Sequence, residues 1–295
     1  MRNKSLQAYA LFILFAIFWG AAFPVTKSAI KDINLYLFLF LRFAIAAIIM
    51  LPLLRKNFIT ELKENLKTGI IMGLLNTAIY TFETLSLHYT SVARAAFISG
   101  ANVVLVPFIS KLMKTGVVHP IDIAAGIIFL VGLYFLTGVH IGGGVDLGSL
   151  FALLSAGSIA LSIVYVHHLT TKREHLNEKV LTFLQIGLAS PIPLLIFLSQ
   201  TNPVIHFNIN VTWGILFCAV FATTIPLFGQ IKFQKYTSAT ITALIFSLEP
   251  VFASIIAYLF YSATIPRYEI LGGSIMLIST ILPSLQYLFK SKIHR

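Results

Sequence analysis

Residues 35–54 read LYLFLFLRFAIAAIIMLPLL, and the reading of this stretch decides the fold. Wound as an α-helix at about 1.5 Å per residue, roughly 20 apolar residues reach across a hydrocarbon core of about 30 Å. One charge, Arg42, interrupts the run. Outward from it, apolar runs broken by charged or turn-forming residues recur along the whole chain. They place further helices near Leu6–Thr26, Thr68–Leu87, Ala93–Met113, Ile121–Gly138, Leu147–Val166, Val180–Leu198, Val211–Phe233, Thr240–Phe260 and Tyr268–Phe289. The expected fold is an all-α integral membrane protein of about ten transmembrane helices.

Composition agrees. Of 295 residues, 58% are hydrophobic and 11% charged, and the mean hydropathy is +0.90, whereas a soluble domain carries roughly a quarter charged residues. The net charge of +11 does not imply a nucleic-acid partner, because Lys and Arg sit in short loops between apolar runs rather than on one face. Membrane lipid is the expected surrounding. The single cysteine, Cys218, excludes an internal disulfide and a cysteine metal cluster. The first run follows Arg2 and Lys4 but lacks a small-x-small cleavage site, so it reads as a retained helix, and no extramembrane domain is expected. Placing the N-terminus inside leaves Lys27, Lys31, Arg94 and Arg267 outside and Arg42 within the membrane. The other 16 of the 21 basic residues then fall inside, which favours both termini in the cytoplasm.

The halves of the chain resemble each other. Tyr89-Thr90-Ser91-Val92-Ala93 recurs as Tyr236-Thr237-Ser238-Ala239-Thr240, each between the third and fourth span of a set of five. The same register sets Thr77 opposite Thr224, Glu83 opposite Gln230, Ala96 opposite Ala243 and Asn102 opposite Glu249. Five spans per copy is an odd number, so the second copy enters from the opposite side. Such an inverted repeat, here residues 1–140 and 141–295, is how many secondary transporters build two access states around a midplane site.

Further motifs extend the pattern: Phe18-Trp19-Gly20 with Phe23-Pro24-Val25, Leu41-Arg42-Phe43, Val104-Leu105-Val106-Pro107, the Gly148 to Leu154 segment, and Leu248-Glu249-Pro250-Val251. In this order, with the Tyr-Thr-Ser junctions, the chain resembles the EamA-type family of the drug/metabolite transporter superfamily. The resemblance implies two five-helix repeats, an inner-membrane location, and movement of amino acids, related metabolites or toxic compounds, often outward. The chain departs from the family at Lys114-Thr115-Gly116 and Tyr261-Ser262-Ala263, where an acidic residue and turn often follow, and at Ser158-Ile159-Ala160, where a tryptophan is frequent.

An ionisable group within a span faces a cavity or a partner by default. Arg42 and Glu83 lie at depths of roughly 10 Å and 7 Å below the same surface, close enough for an ion pair that either glues two helices or serves the substrate. Glu249 precedes Pro250, whose missing N–H frees a carbonyl; its carboxyl is a candidate to carry a proton, to meet a substrate amine, or to bond the broken helix. Asn76, Tyr80 and Glu83 form a polar stripe expected to face the bundle interior. Trp19 and Phe23 share a helical face and offer an aromatic wall for a small molecule or ordinary packing. Asn102 and Gln230 complete the candidate substrate-binding set. Gly69 and Gly73 form a small-xxx-small pattern suited to close packing, within the chain or between protomers.

Other classes find little support. His167, His168 and His175 stand beside Lys172 and Arg173 without an HExxH pattern, so no metal is expected. No G-x-S-x-G elbow or Walker A sequence occurs, and Asp146, after Gly142-Gly143-Gly144, lies in a turn. An enzyme and a cofactor are therefore not expected. A passive channel or a membrane sensor remains the alternative to a carrier moving a small-molecule substrate on a substrate or proton gradient.

Overall fold

The computed structural model describes residues 2–54, 58–136, 144–172 and 177–293. Gly138, the boundary expected between residues 140 and 141, Gly142, Gly143, Arg173 and His175 fall outside these residues. Fourteen α-helices follow one another in the described chain: α1 (Arg2–Ala29), α2 (Leu35–Met50), α3 (Phe58–Tyr89), α4 (Val92–Ser99), α5 (Asn102–Leu112), α6 (Pro120–Leu136), α7 (Leu147–Lys172), α8 (Glu178–Gly187), α9 (Pro191–Leu198), α10 (Ile209–Ala219), α11 (Ile225–Phe233), α12 (Ala239–Phe246), α13 (Glu249–Tyr261) and α14 (Arg267–Ile293). No β-strand occurs among the described residues; one isolated bridge joins Ile33 and Ile205.

Among the described residues, eight segments are long and apolar enough to cross a membrane: α1, α2, α3 and α7 singly, and α4–α5, α8–α9, α10–α11 and α12–α13 as broken pairs. The protein is thus a multi-pass membrane protein. The apolar helix α6 has 17 residues and is shorter than these, and α14 runs for 27. Helix α3 starts at Phe58 rather than at Thr68. Hydropathy marks only the apolar part of a helix, and a polar turn of good helix formers from Glu61 to Lys67 carries α3 further, with Glu61 accepting a hydrogen bond from the Asn177 side chain.

Local chemistry explains the starts and breaks. Ser91 Oγ accepts from Arg94 N at 3.1 Å and Ser238 Oγ from Ile241 N at 3.2 Å, so both Tyr-Thr-Ser junctions end in a serine that caps the next helix. Asn34 and Asn177 cap α2 and α8 in the same way. The fourth-span segment breaks at Gly100-Ala101 and its later counterpart at Ser247-Leu248, leaving Asn102 and Glu249 as the first residues of α5 and α13. The two breaks meet: a Cβ on Gly100 would stand 3.2 Å from Pro250 Cγ.

Around these breaks α1 packs on α12 and α13, α7 on α4 and α5, α3 on α7 and α8, and α6 on α14. Gly69 and Gly73 face Leu184 and Leu188, so the small-xxx-small pattern packs α3 on α8 within the chain. At the α3–α4 end, Lys27 Nζ donates to Leu87 O, and to Thr90 O at 2.8 Å. Arg94 lies 3.2 Å from Asp146 and 3.6 Å from Glu269, tying α4 to the starts of α7 and α14. Partial burial pushes the Asp146 carboxyl up, but hydrogen bonds from Ser149 and Thr90 and the Arg94 charge outweigh it and hold the group below the ordinary carboxylate range.

Among the described glycines, the closest backbone approach joins α6 and α14. A Cβ on Gly272 would fall 2.3 Å from Leu136 N and 2.7 Å from Gly132 O. Gly272→Val is expected to push these helices apart and cost about 1–3 kcal/mol, seen as a lower melting temperature of the purified protein. Gly157→Ala, whose Cβ meets nothing within 4 Å, is expected to melt like the parent.

Candidate functional site

The site begins with a proline. In a regular α-helix the carbonyl of Ala222 would accept from the N–H of residue 226, and Pro226 has none. The chain widens into a π-helical turn over Val220–Thr224, with the Ile225 N–H reaching back to Val220 O. Ala222 O is left for other partners, and three helices supply them. Trp19 Nε1 of α1 donates at 2.9 Å, Arg42 Nη2 of α2 at 3.0 Å and the Tyr80 hydroxyl of α3 at 3.2 Å.

Arg42 is fully buried. Its Nε donates to Thr223 Oγ1 at 2.7 Å, and its guanidinium carbon lies 4.2 Å from the centre of the Tyr80 ring, a geometry suited to cation–π attraction. The anticipated Arg42–Glu83 ion pair does not form among the described residues. The fork of the guanidinium is turned instead to the carbonyl and hydroxyl of the π turn, which offer two acceptors in its own plane.

A narrow cavity with about 480 Å³ of empty volume, part of it open to the surroundings, lies beside this hub. Trp19, Asn76, Tyr80, Glu83, Gln230 and Glu249 line it with Ser162 and with Ile79, Ile159, Ile163, Leu227 and Phe246. Six of the nine residues chosen from the sequence are thus brought together; Phe23, Arg42 and Asn102 are not on the wall. Phe23 lies one helical turn beyond Trp19 and packs among Leu87, Val92, Ala96 and Ala253, past the cavity's end. Arg42 stands behind Tyr80. Asn102 is turned back on its own helix start, Nδ2 donating to Ser99 O at 3.0 Å, with Oδ1 buried and unpaired.

The polar lining divides into committed and uncommitted groups. Asn76 Nδ2 donates to Gln185 Oε1 at 3.1 Å, and Gln230 Nε2 to Gln234 Oε1 at 2.8 Å, whose own amide reaches Ile163 O at 2.7 Å. The carboxylates of Glu83 and Glu249 have no hydrogen-bond or ion-pair partner among the described residues. Glu249 therefore does not bond the broken helix there; as the first residue of α13 it projects its carboxyl to the cavity beside the break. Trp19 and Phe246 meet edge to face, with ring centres 4.7 Å apart at 89°, and form a corner of two aromatic walls. Sequence reasoning missed Ala222, Thr223 and Gln185. A signal for the first existed, since Pro226 in an apolar run frees the carbonyl four residues earlier.

A family model described as the EamA-like transporter family matches residues 6–138 and again residues 146–285. An uncharacterized transporter of Archaeoglobus fulgidus is 30% identical over 283 residues, which cover 96% of this chain and 87% of that protein. The uncharacterized transporter YyaM of Bacillus subtilis is 24% identical over 295 residues, 95% of this chain and 94% of its own length. A solved crystal structure shares the fold, with a TM-score of 0.67 at 15% identity across 95% of this chain and 97% of the other.

The hub makes graded demands on Tyr80. Tyr80→Phe keeps the ring under Arg42 and loses one of three donors to Ala222 O, an expected cost of about 1 kcal/mol. Tyr80→Leu also removes the cation–π face and is expected to cost roughly 1–2 kcal/mol more. The order of melting temperatures, parent above Phe above Leu, checks both.

Proposed function

The chain belongs to the EamA-like transporter family, and from that premise we propose a secondary carrier that exports a small metabolite, such as an amino acid or related compound, or a drug, by alternating access. The observation that carries the proposal is the position of the cavity. Its wall is shared between α1 and α3 of the first half and α7, α11, α12 and α13 of the second, so a movement of one half against the other would change its exposure.

The two halves are proposed as five-span repeats of inverted topology, with α6 and α14 as the fifth span of each. Three observations support this: the family model matches twice, serine caps α4 and α12 at equivalent positions, and the fourth and ninth spans break in the same register. The charge distribution supports an inner-membrane orientation with both termini cytoplasmic. Within the cavity Trp19, Tyr80, Asn76, Glu83, Gln230 and Glu249 would touch the substrate, while Arg42, Phe23 and Asn102 would act through the residues they support. No step calls for a cofactor, and the carboxylates of Glu83 and Glu249 are the groups available to couple transport to protons.

Reconstituted in proteoliposomes and screened against pooled labelled amino acids, amines and related metabolites, the protein is expected to give saturable flux that rises when substrate is placed on the far side. Glu249→Gln is expected to lower that flux at least tenfold while the melting temperature holds. Flux that neither saturates nor shows counterflow would replace the carrier with a channel, and a response to an imposed pH gradient that vanishes in Glu83→Gln or Glu249→Gln would identify the proton site.

A further inference from the structure

We propose that the ligand of this cavity is a monocationic amine with an aromatic or branched apolar body and no free carboxylate. The inference rests on the carrier reading in one respect, that the cavity is the ligand site, and goes beyond it in assigning the ligand's charge and donor pattern.

The first argument is a balance of charge. Glu83 is buried and Glu249 half-buried, both line the cavity, and neither carboxylate has a hydrogen-bond or ion-pair partner among the described residues. Removing a carboxylate from water without a partner is costly. The cation nearest to hand, Arg42, is fixed to Ala222 O and Thr223 and screened from the cavity by the Tyr80 ring. It offsets one negative charge through the low-dielectric interior. The other acid is met by a proton when the cavity is empty, or by a ligand with a single positive charge that takes the proton's place, whereas an anion would meet a second acid.

The second argument is a balance of donors, and it separates amines from amino acids. The donors on the cavity wall already give a bond inside the protein: Trp19 Nε1 and the Tyr80 hydroxyl to Ala222 O, Asn76 to Gln185, and Gln230 to Gln234. The acceptors, two carboxylates, are free. The wall therefore favours a ligand with donors for these acids, such as an ammonium with its N–H groups, and leaves a carboxylate the Ser162 hydroxyl and the second N–H of the Asn76 and Gln230 amides. The third argument concerns shape. Trp19 and Phe246, at 89° to each other, present two aromatic faces to one corner, which attracts a cation or an aromatic ring, and Ile79, Ile159 and Leu227 continue the wall without polar atoms.

Four probes of one shape test this: 2-phenylethylamine, L-phenylalanine, 3-phenylpropionate and 2-phenylethanol. Their binding is measured by calorimetry at neutral pH on the full chain in nanodiscs of uncharged lipid. The amine is expected to bind saturably and at least tenfold more tightly than L-phenylalanine, and the acid and the alcohol to show no saturable binding. Glu83→Gln and Glu249→Gln, each with the parent's melting temperature, are expected to weaken the amine at least tenfold. Equal binding of L-phenylalanine or of the alcohol, no binding of the amine, or full binding by both folded variants would each overturn the proposal. Should the variants fail to fold, the four probes on the parent protein still decide. Counterflow of labelled amine separates the two readings: binding without counterflow sinks the carrier and leaves the ligand class standing, whereas counterflow of L-phenylalanine without amine binding does the reverse.

Discussion

Everything at the centre of this protein is organised around one backbone carbonyl. Ala222 O is orphaned by Pro226, and a buried carbonyl without a donor is too costly to keep. A carbonyl has two lone pairs, and here three donors from α1, α2 and α3 share them. The same atom thus links the first three helices of the chain to the α10–α11 segment more than a hundred residues away, with Arg42 as the one charged donor. Its wider consequence is electrostatic. By holding the Arg42 fork against the π turn, it keeps the guanidinium from reaching Glu83, and the carboxylates stay free to face the cavity.

The two halves use one pairing with two chemistries. Asn34 and Asn177 cap α2 and α8, and eight positions after each cap stand Arg42 and Gln185. Arg42 bonds Thr223 and Gln185 bonds Asn76, and Thr223 and Asn76 occupy matching places in the register that aligns Ser238 with Ser91. In the second half the contact is neutral; in the first it carries a charge. The cavity wall shows the same division, since Glu83 corresponds to Gln230 and Glu249 to Asn102. The proposed repeats would therefore share a scaffold while their charges do not repeat, which gives a single ligand orientation to a pseudo-symmetric space.

Much of this was legible in the sequence because membrane folding speaks through hydropathy. The spans at residues 35–54 and 147–166 were readable from apolar length, and the Tyr-Thr-Ser junctions pointed to paired helix starts that the serine caps explain. Pro250 marked the break near Ser247, but the one at Gly100 was not readable, because backbone departures inside an apolar run leave hydropathy unchanged. The polar stripe of Asn76, Tyr80 and Glu83 was found by its period, since lipid cannot satisfy those groups. The partner of Arg42 was missed for the opposite reason. Depth along neighbouring helices suggests Glu83, but a guanidinium chooses acceptors by direction as well as distance, and the freed carbonyl at Ala222 appears in the sequence only as the position four residues before a proline. Phe23 was misplaced on the wall because helical spacing gives a shared face but not where along that face the cavity ends.

In the proposed carrier, leaving two carboxylates without a protein partner would serve the transport cycle. A direct Arg42–Glu83 pair would satisfy one acid without any ligand. With Arg42 secured behind Tyr80, its charge is felt but its Nε and Nη2 donors are given to Thr223 and Ala222, so the empty cavity keeps an unmet demand for positive charge and for donors. A ligand shifts a conformational equilibrium only by as much as it binds one state better than another. An enclosed state that surrounds the carboxylates with Trp19 and Phe246 excludes water and penalises them most when empty. Under the proposed ligand class it would gain most when an ammonium enters, so the same unmet demand that selects the ligand would also make closure depend on it.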